Sequence, residues 1–320
     1  MTNFQEYFFH NIGCLGHRTS EHFMPDQPQE DPTALFRRAT RYQEFGEFTA
    51  ARDTFLAIVE IDPSFSKAWN SLGMVYKEMK DIDKARECFK KASLHEPEWT
   101  EPIVNLGQLE FSLKAYNEAK EVLCKYLELG GTDLETLTIL AQSAFHLDDC
   151  KTVQEVTTRI IDIYKEVYEA WEMRGLCHAK KAKFSSALVA LNIALELDPR
   201  SVVALNAVGD LCYDGANYEG AASFYEPSLS KRKSQPRILL RQGTSLWFLD
   251  RWSESIPFLE QYTELVPDDP VGWNNLGVVL REKGEVTRSI DCYKRALQLD
   301  PELEAALNNM ETAMYKQMIA

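Results

Sequence analysis

The sequence lacks the features that mark several large protein classes. No apolar run approaches the roughly 18 residues of a transmembrane helix, so we expect no membrane insertion. No CxxC pair occurs among the seven cysteines, which argues against a zinc ribbon or a disulfide framework. Basic residues are in the minority, since 35 Lys and Arg stand against 49 Asp and Glu, for a net charge of −14. Such a surface repels phosphate backbones, so we expect no nucleic-acid partner.

Signals for secretion and for catalysis are also missing. The first residues contain no basic stretch followed by a long apolar stretch, and together with scattered cysteines this predicts a cytoplasmic protein. We find no Walker A loop, GxGxxG, HExxH or EF-hand loop, so the sequence predicts a non-enzymatic protein without a cofactor. The adjacent Cys177 and His178 would be a catalytic pair only if exposed, and their helix positions predict burial. A metal site is not expected either, because Gly13 and Gly16 interrupt the group that would form it: His10, Cys14, His17 and His22.

A 34-residue period organises most of the chain. The segments Ala68-Trp-Asn-Ser-Leu-Gly, Ala170-Trp-Glu-Met-Arg-Gly and Gly272-Trp-Asn-Asn-Leu-Gly follow one another at intervals of 102 residues, which is three periods. With Pro32 as position 1, eight repeats fill residues 32–303 without an insertion or a deletion. Self-similarity at this period is typical of stacked helical hairpins, because one hairpin cannot bury its own apolar face.

Small and apolar residues recur at fixed positions of the period. Position 8 is always small, and glycine inside a helix costs about 1 kcal/mol relative to alanine, so its repeated use indicates that another backbone comes close. Position 20 is small in seven of the eight repeats and is expected to face position 8. Position 8 is occupied by Ala39, Gly73, Gly107, Ala141, Gly175, Gly209, Gly243 and Gly277. Prolines end many of the repeats, and Gly46 and Gly284 mark the turn inside the hairpin.

This pattern resembles the tetratricopeptide repeat family. The resemblance implies an all-α fold, a right-handed α-solenoid of helix pairs in which the first helix of each pair, helix A, lines a concave groove. It also implies recognition of a protein partner in that groove. The residues that some members use to clamp a chaperone's C-terminal carboxylate do not recur together here. We predict three parts: an N-terminal extension over 1–31 with a short amphipathic helix and a linker, the repeats over 32–303, and a capping helix over 304–320.

Two repeats depart from the pattern. In the fourth, Thr157 occupies an apolar position, and in the sixth, Pro227 lies inside the second helix, helix B. Proline removes a helical hydrogen bond, so this helix is expected to kink or to end early.

The groove-facing positions of helix A carry the predicted binding site. Position 12 forms an aromatic stripe across repeats 3 to 7, interrupted at Ala179, and exposed aromatic rows mark surfaces that a partner covers. Acidic residues concentrate in the middle repeats and arginines near the C-terminal end, while asparagine can hold a peptide backbone. The predicted peptide-groove residues are Asn105, Phe111, Phe145, Tyr213, Arg237, Arg241, Trp247, Asn275 and Arg281.

Alternatives to this groove remain open. The aromatic side chains could pack sideways on neighbouring helices A, and the charges could be a solvated surface. The leading prediction is an adaptor that captures a linear segment of an unidentified protein. The alternative is a self-assembling scaffold in which Phe4, Tyr7 and Phe8 occupy the groove of the same copy or of a neighbouring copy. Occupation of a neighbouring copy would make the protein a homo-oligomer.

Overall fold

The computed structural model describes residues 31–319, and its regular structure there is entirely helical. The extension before residue 31, including the potential metal ligands and the aromatic segment near Phe4, lies outside the described residues. Within them, seventeen helices follow one another. Their bounds are α1 Pro32–Glu44, α2 Phe48–Ile61, α3 Ser66–Glu78, α4 Ile82–His95, α5 Thr100–Ser112, α6 Tyr116–Glu128, α7 Leu134–His146, α8 Cys150–Tyr164, α9 Tyr168–Lys180, α10 Phe184–Leu197, α11 Val202–Asp214, α12 Tyr218–Lys231, α13 Pro236–Phe248, α14 Trp252–Leu265, α15 Pro270–Lys283, α16 Val286–Leu299 and α17 Glu304–Ile319.

The helices pair in consecutive twos, and each odd-numbered helix before α17 begins 34 residues after the previous one. Local chemistry sets these starts. The carboxylate of Asp133 accepts the Thr136 N–H at 2.9 Å to cap α7, and Ser201 caps α11 in the same way. Proline opens α1, α13 and α15, where its missing N–H costs nothing. The expected all-α solenoid of helix pairs is confirmed, while the division into three parts stays a prediction.

Helices A and helices B lie at different distances from their neighbours in the stack. Each odd-numbered helix touches the next odd-numbered one as well as its sequence neighbours, whereas successive even-numbered helices share no comparable contact in the described chain. In a curved stack, the elements that approach one another most closely lie on the inside of the curve. We therefore call the surface of the odd-numbered helices the inner face and that of the even-numbered helices the outer face.

The glycine seam inside each hairpin brings two helices into direct contact. At Gly107, an added Cβ would lie 2.3 Å from Cδ2 of Leu123, and at Gly209 it would lie 2.5 Å from the Tyr225 ring. Both blocking residues occupy position 24, so the expectation that position 20 faces the glycine is incomplete. Position 20 does lie against the helix A backbone, as the Ser255 hydroxyl donates to the carbonyl of Gly243 at 2.7 Å. Position 24 covers the glycine because the missing side chain leaves room for a large ring or a leucine from the facing helix.

The turn within each hairpin places one residue in the left-handed region. Gly46 and Gly284 hold φ of 75° and 91°, as their residue type allows. The equivalent position in the other six hairpins has φ between 54° and 62° although none is glycine; these residues are Lys80, Lys114, Asp148, Ala182, Ala216 and Asp250. Every hairpin therefore closes with the same turn, whatever the side chain.

The two irregular repeats are accommodated without loss of a helix. Thr157 is fully buried and donates its hydroxyl to the Val153 carbonyl at 2.7 Å, which satisfies the polar group within its own helix. It occupies the position whose side chain covers glycine in most repeats, and this repeat has Ala141 in place of that glycine. The early end expected at Pro227 is wrong, because α12 continues to Lys231 and Pro227 lies on its exposed side.

Candidate functional site: the inner face of the helix stack

The predicted aromatic stripe divides into two separate clusters. Phe111 packs edge-on against Tyr116, with ring centroids 5.8 Å apart, and Tyr116 stacks on His146 of the next hairpin at 4.2 Å. The second cluster repeats this arrangement, since Tyr213 meets Tyr218 edge-on at 5.6 Å, and Tyr218 stacks on the next hairpin's Phe248 at 4.1 Å. Trp247 joins that cluster through Phe248, with ring centroids 4.6 Å apart. These rings therefore connect neighbouring hairpins as well as facing the groove.

Cations lie over two of the stripe residues. The Nζ of Lys180 is 4.6 Å from the ring centroid of Phe145, and the guanidinium of Arg241 is 4.9 Å from that of Tyr213. The Tyr213 hydroxyl also lies 3.0 Å from Oγ1 of Thr244 on the next inner helix. Phe145 and Tyr213 are half-buried, so both keep some accessible surface while already contacting a neighbouring repeat.

Asp210 joins the two charge zones that the sequence places apart. Its carboxylate accepts hydrogen bonds from Arg237 at 2.6 Å, Arg241 at 3.0 Å and the Tyr225 hydroxyl at 2.7 Å. Arg241 also pairs with Asp214 at 3.1 Å. Burial, followed by the Asp210 contact, raises the pKa of Tyr225, so its proton stays available to the carboxylate. Arg237 and Arg241 therefore already have acidic partners within the protein.

Amide pairs connect inner helices at two points of the stack. The Asn105 amide donates to Oδ1 of Asn70 at 2.9 Å, and Asn70 in turn donates to Glu101 at 3.1 Å. Near the other end, Asn309 donates to Oδ1 of Asn274 at 3.0 Å. Both Asn–Asn pairs are separated by 35 residues, a signal that the sequence contains and that position-by-position reading misses. The amides predicted to hold a peptide are thus partly used to join repeats.

A cavity of about 240 Å³ opens where α13, α15 and α17 meet on the inner face, and we call it the C-terminal groove pocket. Three of the predicted site residues, Trp247, Asn275 and Arg281, line it together. The remaining lining residues are Thr244, Leu259, Asn274, Val278, Val279 and Asn309. The pocket combines an apolar floor with several amide groups, which is the chemistry of a peptide subsite.

Two polar groups of this pocket have no partner within the described chain. The side-chain amide of Asn275 makes no hydrogen bond there, and neither does the indole N–H of Trp247. By contrast, the indole N–H of Trp69 donates to the Pro63 carbonyl at 2.8 Å, and that of Trp273 donates to the Pro267 carbonyl at 2.9 Å. Arg281 differs, because it already donates to Asn309 and to Glu282. Trp247 and Asn275 are therefore the groups of the pocket that a ligand can engage directly.

Glu172 and Cys177 are both buried, and burial changes the pKa of each. Glu172, an acidic residue of the middle repeats, is buried and accepts a hydrogen bond from the Ser201 hydroxyl. Burial raises the pKa of Glu172. Burial also raises the pKa of Cys177 to about 12, the opposite of what a nucleophilic thiolate requires.

Residues 31–319 contain neither a membrane-spanning helix nor a group of metal-ligating side chains. No helix in that range combines the length and apolar character needed to cross a membrane. The same range contains no group of three or more acidic, histidine and cysteine side chains arranged to hold a metal ion.

Comparisons with known proteins agree with this architecture. Stacked helical hairpins with a shared inner face define the class of α-helical repeat solenoids. Two family models, both described as tetratricopeptide repeat, match this chain, one at residues 66–98 and 270–303 and the other at 101–129. These matches identify tetratricopeptide repeats at three places in the chain, and proteins with such repeats generally mediate protein–protein interactions.

Individual relatives are distant and mostly much longer. Human protein O-mannosyl-transferase TMTC1 is 24% identical over 75% of this chain and 24% of that protein. Anaphase-promoting complex subunit 3 of Schizosaccharomyces pombe is 21% identical over 68% of this chain and 33% of that protein. The chain therefore spans between a quarter and a third of the length of these relatives. The crystal structure of YrrB, described as a TPR protein with an unusual peptide-binding site, has a TM-score of 0.51 at 18% identity, over 58% of this chain and 95% of that one.

Proposed function

We propose that this chain is a non-enzymatic interaction scaffold that binds a linear segment of a partner protein in the C-terminal groove pocket. The observation that carries the proposal is the pairing of an unused indole N–H on Trp247 with an unused amide on Asn275 in one cavity of the inner face. An aromatic anchor supplies most of the affinity of such sites, and an amide can satisfy both the N–H and the C=O of an extended peptide.

The middle of the groove plays a different part in this proposal. Phe145 and Tyr213 contact neighbouring hairpins, Phe111 packs on Tyr116 of its own hairpin, and Arg237 and Arg241 are held by Asp210. These contacts hold the inner helices in their arrangement. A bound segment would bury further surface against these residues without breaking the contacts. One of the two relatives is named as a subunit of the anaphase-promoting complex, which fits a scaffold role.

The test selects ligands with a random peptide library displayed on phage and measures the enriched peptides by fluorescence polarisation. Trp247→Ala is expected to lower the affinity at least about tenfold, because anchor residues contribute about 2 kcal/mol or more. Asn275→Ala is expected to lower it by a smaller factor, through loss of the backbone contact. Phe45→Ala is the matched control, since Phe45 is an exposed aromatic residue far from the pocket, at 79% exposure. Equal affinities for the wild type and both pocket variants would refute the proposal.

A second candidate function, assembly of several copies, is favoured by exposed apolar side chains on α17. Four of its apolar side chains are 49% to 85% exposed: Met314, Tyr315, Met318 and Ile319. Light scattering of the full chain, of a chain lacking residues 1–31 and of Met318→Asp separates the possibilities. Loss of a dimer in Met318→Asp alone assigns assembly to α17, whereas loss in the shortened chain assigns it to the N-terminal segment. A monomer at all concentrations of the full chain refutes assembly.

A further inference from the structure

Arg174 occupies a position on α9 that is aliphatic in most inner helices. Five of the seven equivalent residues are buried and aliphatic, namely Leu72, Leu106, Leu140, Val208 and Leu276, and the other two are Arg38 and Gln242. The Arg174 guanidinium lies over the ring of Trp171, 5.1 Å from its centroid, and donates to Oγ1 of Thr158 at 2.5 Å. Its Nε is shielded from solvent and has no hydrogen-bond partner, and no carboxylate of the described chain forms an ion pair with it. A cation therefore replaces an aliphatic side chain, and its compensation within the described residues is limited to the charge of Asp162, which forms no salt bridge with it.

Three more basic side chains surround the same place. His178 lies one turn further along α9, and Lys181 and Lys183 follow in the turn before α10; all three line one small cavity with Arg174. Arg174 and His178 also line an adjoining opening of about 350 Å³, together with Ser185 and Ser186 of α10. We call these six residues the basic cleft. It opens between the outer helices α8 and α10, and neither lining contains an Asp or a Glu.

The charges of the basic cleft are not balanced within residues 31–319. No carboxylate there forms a salt bridge with Arg174, His178, Lys181 or Lys183, although the charge of Asp162 acts on Arg174 and the whole chain has a net charge of −14. Burial lowers the pKa of His178, and the neighbouring Lys183, Arg174 and Lys181 lower it further. The first turn of α10 adds to this field, since it contains no acidic residue and no side chain caps its N–H groups.

The equivalent cleft between α4 and α6 shows what internal compensation looks like. There the buried Glu110 accepts two hydrogen bonds from Arg86, at 2.5 and 3.0 Å. The residues at the same repeat positions in the basic cleft are His178 and Gln154, and they form no such pair. The basic cleft is thus a related place in the stack from which the carboxylate is missing.

We propose that the basic cleft binds a phosphoryl group, carried either by a phosphorylated serine or threonine side chain of a partner or by free phosphate. A phosphoryl group brings a charge of about −1.5 to −2 and three acceptor oxygens, which suits several converging cations. The Arg174 guanidinium, the two lysine ammonium groups and the Ser185 and Ser186 hydroxyls supply the donors. A single carboxylate would leave most of these donors unused. The site lies on the outer face, separate from the C-terminal groove pocket.

The test measures binding of inorganic phosphate and of N-acetyl-O-phosphoserine methylamide to the full chain by isothermal titration calorimetry. Arg174→Leu installs the residue type found at equivalent positions, and a double variant combines Lys181→Ala with Lys183→Ala. Both are expected to lower the affinity at least tenfold while retaining the helical circular dichroism signal. The matched control is Lys151→Ala, which removes one exposed charge from α8 outside the cleft and is expected to change the affinity less than twofold.

The two probes distinguish the sources of the phosphoryl group. Tighter binding of the phosphoserine compound assigns the site to a modified side chain, and tighter binding of inorganic phosphate assigns it to the free anion. As a second readout, saturating ligand is expected to raise the pKa of His178 in NMR titrations, because an anion among Arg174, Lys181 and Lys183 favours the imidazolium. Absence of saturable binding for both probes, or an equal loss in Lys151→Ala and the lysine double variant, would overturn the proposal.

Discussion

Replacing Gly107 by alanine tests whether the glycine seam sets the spacing of the hairpins. The added methyl group would lie 2.3 Å from Cδ2 and 2.5 Å from Cγ of Leu123, well inside van der Waals contact. Leu123 is fully buried, so its side chain cannot rotate into free space. Overpacking of this kind costs about 1–3 kcal/mol, and the short distances favour the upper end. Alanine regains about 1 kcal/mol of helix propensity. The expected net result is a loss of about 2 kcal/mol in the free energy of unfolding.

The fourth hairpin supplies the matched compensation for this change. It has Ala141 and the smaller Thr157 at the equivalent positions, and the Thr157 hydroxyl is satisfied by the carbonyl one turn earlier. Leu123→Thr alone is expected to cost about 2–4 kcal/mol through lost burial. Together with Gly107→Ala it should cost at least about 1 kcal/mol less than the sum, because the two residues are in contact. Urea unfolding followed by circular dichroism measures all three variants. A gain in stability for Gly107→Ala alone, or strict additivity, would refute the steric explanation.

Further expectations concern caps, turns and the charge centre. Burial alone would raise the pKa of Asp149, yet hydrogen bonds from Thr152 and the contact with Lys120 lower it to about 2, so Asp149→Ala should cost about 1 kcal/mol at pH 7. Because the folded state favours the ionised form, this difference should shrink as the pH falls from 4 to 2 in urea unfolding, and a pH-independent cost would contradict it. Ala216→Gly should raise the unfolding free energy by up to about 1 kcal/mol, since it relieves a left-handed alanine. Thermal unfolding should show a higher Tm, and a lower one would contradict the strain. Asp210→Asn should lower stability by about 1–2 kcal/mol, because Arg237 and Arg241 lose their shared anion; an unchanged unfolding midpoint would show that the ion pairs contribute nothing.

The period in the sequence was sufficient to predict the helices, because spacing of small and apolar residues directly specifies which faces are buried. It was not sufficient to predict contacts across the seam, since a 34-residue period does not define how the two helices are rotated, and Leu123 rather than Ala119 covers Gly107. The period places a turn in every hairpin, but the sequence marks its left-handed residue only at Gly46 and Gly284, because residues such as Lys80 give no such signal.

Prediction of the site from the sequence met a different limit. The repeat position of a residue predicts the face on which it lies, and it brought Trp247, Asn275 and Arg281 to one pocket. It does not predict which neighbour a charged group will choose. Asp210 lies among the acidic residues of the middle repeats and Arg237 among the arginines nearer the C-terminal end, yet the two form an ion pair at 2.6 Å.

The local character of the helix contacts has a consequence for how the chain folds. Each helix of the described stack packs against helices within two places of it in the sequence, so no contact waits for a distant segment to arrive. Chains dominated by such local contacts fold quickly, because little loop-closure entropy is lost before contacts form. During synthesis, a hairpin can therefore reach its native packing on the ribosome once its successor has emerged, and assembly proceeds vectorially from the first helices towards the last.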